Sequence, residues 1–280
     1  MLYLLKKILL KVFHKIQLLN YDRFVTKNIN GVYFELDLSE NIDSTLFHLG
    51  IYERRTSKVL HRYINSDMIV FEVGANIGAH TFEIAKILKH GKGKLYSFEP
   101  TDYAFKKLKN NYDLNKFNNI VLEKVALSDT TDRVEISCIN SKETLPFKAS
   151  WDIKGGSKNT DAFQVNFEKL DDYVCRNEID IINFLKIDVD GYELKVIKGG
   201  FDTIRMFKPI ILIEVGITLE RVGDKIEDLI MMLEDLGYSF YSIKTGNKTG
   251  KAELIAIVTV NRTEDFLCLP SVSSPRKLFF

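Results

Sequence analysis

Cysteine is scarce in this chain, and its placement excludes a covalent framework. Cys138, Cys175 and Cys268 are odd in number and far apart, with none of the short pairings that mark zinc or redox sites. They read as reduced core residues of a cytoplasmic protein. Histidine is sparse as well: the five are scattered, with no two on one helix face beside an acid, so no metal site is assigned. Net charge is nearly absent. At +1 the chain has no global basic field, so no nucleic-acid partner is expected. Long apolar runs are missing too. The N-terminal stretch Leu2 to Leu19 is broken by Lys6, Lys7, Lys11 and Lys15, which excludes a membrane span, and no small-residue cleavage site follows to make it a secretory signal.

What is present is core material. A composition of 45% hydrophobic and 28% charged residues over 280 positions suits one large globular unit with an N-terminal extension. Leu2 to Leu19 spaces its lysines at three to four residues among leucines, isoleucines and Phe13, the pattern of a basic amphipathic helix. Two readings stand: it packs on the domain or on a partner subunit, or it lies on anionic lipid as a peripheral contact at the inner face of the membrane.

Phe24–Val25 and the alternating run Val32–Leu38 predict a hairpin turned at Asn30–Gly31, ahead of a helix from about Ile51 to Tyr63. From Met68 the chain alternates short apolar runs with amphipathic segments, the signature of a helix-covered parallel sheet. Strands are expected near 68–73, 94–98, 119–123, 182–187, 209–214, 238–243 and 252–258, and helices near 78–90, 102–115, 191–199 and 223–236. The last two strands are too close for a crossover and are expected to be antiparallel. The implied architecture is a Rossmann-like α/β domain over 67–262, behind a basic helix at 1–20 and a cap at 21–66, with a tail at 263–280. The segment 140–162, which holds Pro146, Trp151, Gly155 and Gly156, reads as a long irregular insert, either a substrate loop or a disordered one.

Three stretches carry chemistry. In Met68–Gly78 a buried strand runs into a glycine turn and then a helix, so Gly74, Ala75, Asn76 and Gly78 let a ligand approach the backbone. A dinucleotide fingerprint would need glycines at 76 and 79, where Asn76 and Ala79 stand. Glu72 at the strand end would repel a pyrophosphate and attract an ammonium, which favours S-adenosylmethionine over NAD. Glu99 closes the next strand, where a carboxylate can bind ribose hydroxyls of either cofactor, or support the first turn of the helix after Pro100. In Asn183–Glu193, Asp188 falls at the carboxyl end of a parallel strand, facing a reacting methyl group and its acceptor. Asp190 and Glu193 have the spacing of a helix capping box.

Taken together, these stretches resemble the FkbM-type methyltransferase family. The likeness runs from about Gly50 to Glu214, through Gly50–Glu53, Glu72–Gly78, Phe98–Pro100, Val125–Asp129, Leu170–Asp172, Phe184–Glu193, Lys198–Gly200 and Ile213–Glu214. It departs at Glu72, where aspartate is usual, and at Asp190, where glutamate is commoner. The resemblance implies S-adenosylmethionine as cofactor, bound by Glu72, Gly74, Ala75, Asn76, Gly78 and Glu99, with Ala126 beside the adenine. It also implies O-methylation of a small-molecule or glycan hydroxyl. Such a hydroxyl is a poor nucleophile at neutral pH, so a base is expected. Asp188 is the first candidate, followed by Glu53 and Glu214, with His80 also in reach. An NAD-dependent oxidoreductase and a non-catalytic cofactor-binding module at a membrane are the alternatives.

Overall fold

The computed structural model describes residues 22–139, 160–259 and 263–271. The expected N-terminal helix and most of the 140–162 insert lie outside these residues. β1 (Phe24–Ile29) and β2 (Val32–Asp37) form the expected hairpin, turned at Asn30 and Gly31 with φ of 52° and 86°, the left-handed pair that a two-residue turn demands. α1 (Asn41–Leu49) and α2 (Arg54–Tyr63) complete the cap.

The main body alternates β3 (Ile69–Val73), α3 (Thr81–Leu88), β4 (Lys94–Phe98), α4 (Asp102–Asp113) and β5 (Ile120–Glu123). A short β6 (Ala126–Leu127) leads into β7 (Asp132–Ile139) and β8 (Thr160–Glu168), which form a three-stranded side sheet with it. The chain then returns through α5 (Leu170–Arg176), β9 (Phe184–Ile187), α6 (Glu193–Gly199), α7 (Phe201–Phe207) and β10 (Ile210–Gly216). It ends with α8 (Thr218–Arg221), α9 (Ile226–Asp235), β11 (Tyr238–Ser242), the two-residue β12 (Lys248–Thr249), α10 (Lys251–Thr259) and β13 (Thr263–Pro270). The large sheet has the order β12-β11-β13-β10-β9-β3-β4-β5. Strands β5, β4, β3, β9 and β10 run parallel, and β13 lies antiparallel between β10 and β11. Apolar clusters pack on both faces, one around Phe71, Phe98 and Leu185, the other around Phe82, Leu95 and Phe184. That is why these strands read as continuous hydrophobic runs.

Two expectations fail at the C-terminal end. Residues 252–258 are helical, within α10. β11 pairs antiparallel with β12 and β13, so the expected tail from residue 263 is an interior strand of the sheet. The segment Leu254–Val258 is apolar without a period, and periodicity cannot tell such a run in a strand from one in a buried helix. The insert is also shorter than expected, since 160–162 already belong to β8. Of the cysteines, Cys268 is buried but Cys175 is exposed; the side chain of Cys138 lies outside those described. Among the described residues no helix is long and apolar enough to cross a membrane.

The cap is fastened by two asparagines four residues apart, Asn111 in the last turn of α4 and Asn115 just past its end. The side chain of Asn115 accepts from the Tyr33 amide at 2.9 Å and donates to its carbonyl at 2.7 Å, imitating a neighbouring strand. Asn111, with no exposed surface, accepts from the Glu35 amide at 2.8 Å and donates to the Ile77 carbonyl at 3.0 Å, tying the hairpin to the glycine turn. Asn111→Leu keeps the shape but orphans both backbone groups. Its urea midpoint should report a loss of about 2–4 kcal/mol, whereas Asn115→Ala at the exposed end should cost under about 1 kcal/mol.

Candidate active site

Strand order reverses between β3 and β9: the chain leaves β3 towards β5 on one side and returns through β9 to β10 on the other. Open sheets of this kind bind ligands at the carboxyl ends of the strands beside that reversal. A cleft enclosing about 1140 Å³ of space continuous with solvent lies there.

One wall is the glycine turn. The Gly74 and Ala75 amides both donate to the Phe98 carbonyl at 3.0 Å, holding the turn against β4. Gly74 has φ +89°, and a Cβ on it would stand 1.8 Å from the Asp188 carbonyl oxygen, so only glycine fits between β3 and the end of β9. Gly78 does not line the cleft. It packs beneath it, where a Cβ would meet Phe82 at 2.5 Å and Leu108 at 2.8 Å. The Asn76 amide donates to Glu99 Oε2 at 2.9 Å, and Glu99 Oε1 accepts from the Thr101 amide at 3.0 Å and its hydroxyl at 2.6 Å. The two carboxyl-end motifs are therefore one hydrogen-bonded unit, with Glu99 buried and fixed in orientation. Burial pushes the Glu99 carboxyl above its ordinary value, against these hydrogen bonds.

Glu72 has a different setting from the expected one. It is 1% exposed, its Oε2 accepts from Thr81 Oγ1 at 2.6 Å and Ser97 Oγ at 2.9 Å, and it stands in register with Lys186 on β9. Burial raises its carboxyl, opposed chiefly by the Lys186 charge. The ammonium expected from a ligand is thus supplied in part by the chain itself. Ala126 is also displaced from its expected place: it is buried in β6, paired with β8, and is absent from the cleft lining. The capping box fails as well. Asp190 has φ 51° and lines the cleft, while Glu193 Oε1 accepts from the amides of Val189 at 3.2 Å and Gly191 at 3.1 Å.

The other wall gathers Glu53, Asp188 and Glu214, the three candidate bases, with Tyr52, His80 and Lys186. Lys186 is 3% exposed and donates to Asp188 Oδ2 at 2.8 Å. Burial opposes its charge, but Asp188, Glu72 and Glu53 together hold its pKa above the ordinary lysine value. No role for Lys186 was legible in the sequence; a lysine inside an apolar strand was the available signal. Glu53 resists protonation despite burial, because His80 donates to it and Lys186 adds its field. His80 is protonated up to about 9: burial works against the charge, but Glu53 and Glu83 outweigh it. It is therefore not the free base that its sequence position suggested. Glu214 is pushed up to about 10, by burial first and then by Asp188, Glu193, Asp265 and Asp190.

Among the described residues the lining carries eight acidic side chains against two lysines and one histidine. That donor set fits a cationic ligand and disfavours a pyrophosphate. Three lining residues other than glycine, Glu53, Asn76 and Asp190, have φ of 44°, 50° and 51°, strain of the kind that collects at functional sites.

The family description "Methyltransferase FkbM domain" matches residues 72–240. The chain is 24% identical over 176 residues to the 2-O-methyltransferase NoeI of Sinorhizobium fredii, covering 56% of this chain and 70% of that one. It is 25% identical over 215 residues to the hexuronic acid methyltransferase AglP of Haloferax volcanii, covering 77% and 75%. Among solved structures, a methyltransferase FkbM from Methylobacillus flagellatus is 18% identical with a TM-score of 0.45. That likeness covers 73% of this chain, which spans 44% of the length of that one.

Two outcomes follow for stability. Glu53→Gly and Glu53→Ala lose the same carboxylate, but only alanine keeps the left-handed strain, so the glycine variant should unfold about 1–2 kcal/mol harder in urea. Folded Glu214 keeps a proton that the unfolded chain releases near the ordinary 4.5. The unfolded state then binds fewer protons between the two values, and stability falls as pH rises. Glu214→Gln removes that loss, so its advantage in Tm over the parent should grow from about pH 5 to about pH 9.

Proposed function

The chain belongs to the FkbM methyltransferase family and takes S-adenosylmethionine as its cofactor; from that premise we propose that it methylates a hydroxyl of a sugar or glycan intermediate, with Asp188 receiving the hydroxyl proton. The acidic lining around the glycine turn, with the Lys186–Asp188 pair at the sheet reversal, is the observation that carries this reading. The printed activities of two relatives, a 2-O-methyltransferase and a hexuronic acid methyltransferase, support a sugar acceptor.

The cofactor supplies a methyl group already activated as a sulfonium. The protein's share is therefore alignment of the two reactants and removal of one proton. In this reading Glu99 and the turn at Gly74–Asn76 hold the nucleoside, and the surrounding carboxylates balance the ligand's positive charges. Lys186 fixes Asp188 by a charge-assisted hydrogen bond, leaving the second carboxylate oxygen to accept from the substrate hydroxyl. Glu214, which retains its proton, offers a hydrogen-bond donor on the same wall.

Asp188→Asn keeps the size and a hydrogen-bonding group. Labelled-methyl transfer to a panel of neutral and uronic methyl glycosides should fall roughly 10²- to 10⁴-fold, while calorimetry with S-adenosylhomocysteine should show affinity within about threefold of the parent, under roughly 0.7 kcal/mol. An equal loss of affinity would move Asp188 into the cofactor site, and undiminished transfer would remove it as the base.

A further inference from the structure

In the cleft wall, His80 is only 4% exposed and stands between two carboxylates. Its Nε2 is 3.1 Å from Glu53 Oε2, and its Nδ1 is 3.4 Å from Glu83 Oε2. Glu83 is anchored in turn from α2, by the Ser57 hydroxyl and by His61 Nε2 at 3.0 Å. The ring also rests against Tyr52, with centroids 5.7 Å apart. Ionised carboxylates only accept hydrogen bonds, so an imidazole serving both must carry a proton on each nitrogen. Either neutral tautomer would turn a lone pair towards a carboxylate.

We infer that His80 is a positioning residue, an imidazolium locked between Glu53 and Glu83 that aims the Glu53 carboxylate into the cleft as a second anchor for the acceptor. This rests on the methyl-transfer reading above and extends it to the shape of the substrate. Two carboxylates, each fixed by its own buried cation, face one space: Asp188 held by Lys186 and Glu53 held by His80. A lone hydroxyl needs one of them, whereas a vicinal diol, as on a sugar ring, engages both.

The Glu53 backbone supports the assignment. It sits in the left-handed region directly before α2, a conformation that persists only when its surroundings over-determine it. The charges facing His80 are Glu53 from the segment before α2, Glu83 from its own helix, Glu72 from β3 and Lys186 from β9, the last opposing its protonation.

The test is made on the full chain. Long-range ¹H–¹⁵N spectra of the histidine rings, with His80 assigned by His80→Gln, should show both nitrogens protonated from pH 6 to pH 8 and a midpoint of about 9. Glu83→Gln, outside the cleft lining, should lower that midpoint by about one unit or more. The same variant should raise KM for methyl glycosides several-fold with kcat and S-adenosylhomocysteine affinity nearly retained, and Glu83→Asp should recover most of the loss. A singly protonated ring at pH 7 in the parent overturns the inference, whatever the activity. So does a lowered midpoint with unchanged KM, which would leave His80 a purely structural pair. If the parent methylates no glycoside, the sugar reading falls, while the ring spectrum still decides whether His80 is the locked cation.

Discussion

The buried ammonium of Lys186 is the charge on which the cleft depends. It lies in register with Glu72 on the neighbouring strand, bonds Asp188 and adds its field to Glu53. A cation taken out of water is retained only where its surroundings compensate it, and removing one partner of such a set costs far more than the set contributes. The arrangement is reciprocal: three acids keep the lysine charged, and the lysine lets three acids share a small space. The strand ends, the glycine turn and the cap all meet around this group.

Much of this was legible in the sequence because the residues concerned obey local rules. Asn30–Gly31 announces its hairpin, and the run from Met68 to Gly78 announces a buried strand entering a tight turn. Asp188 and Glu99 stand out as candidates because they lie at strand ends, a place where open sheets concentrate ligand contacts. Lys186 was missed for a complementary reason: pattern reading asks where apolar residues recur, and an isolated charge inside an apolar strand looks like noise. His80 and Glu83 do stand three apart, as neighbours on a helix face, but Glu53 joins them through a fold-back that no spacing encodes.

The failures at the other end have a physical cause too. The segment 252–258 lacks a period because helix α10 packs against α9 and β10 while alanines, Ala252 and Ala256, take up much of the face it leaves exposed, so few polar residues reveal its turn. β13 begins with Thr263, Glu264 and Asp265, poor strand formers in part, and is drawn into the sheet by its burial from Phe266 to Leu269. Tertiary context overrides local preference there. The Asp190–Glu193 spacing misleads in the same way, since Asp190 takes a left-handed turn and Glu193 accepts from Val189 and Gly191 instead.

The asparagines at the end of α4, Asn111 and Asn115, carry one more implication. A hairpin outside a large sheet ordinarily exposes two rows of unpaired backbone groups, each a template for another chain. Here the outer row of β2 is occupied by side chains from a helix, at Tyr33 and Glu35. Edge-to-edge assembly through that strand is thereby closed off, so the hairpin can flank the large sheet without offering β2 to another chain.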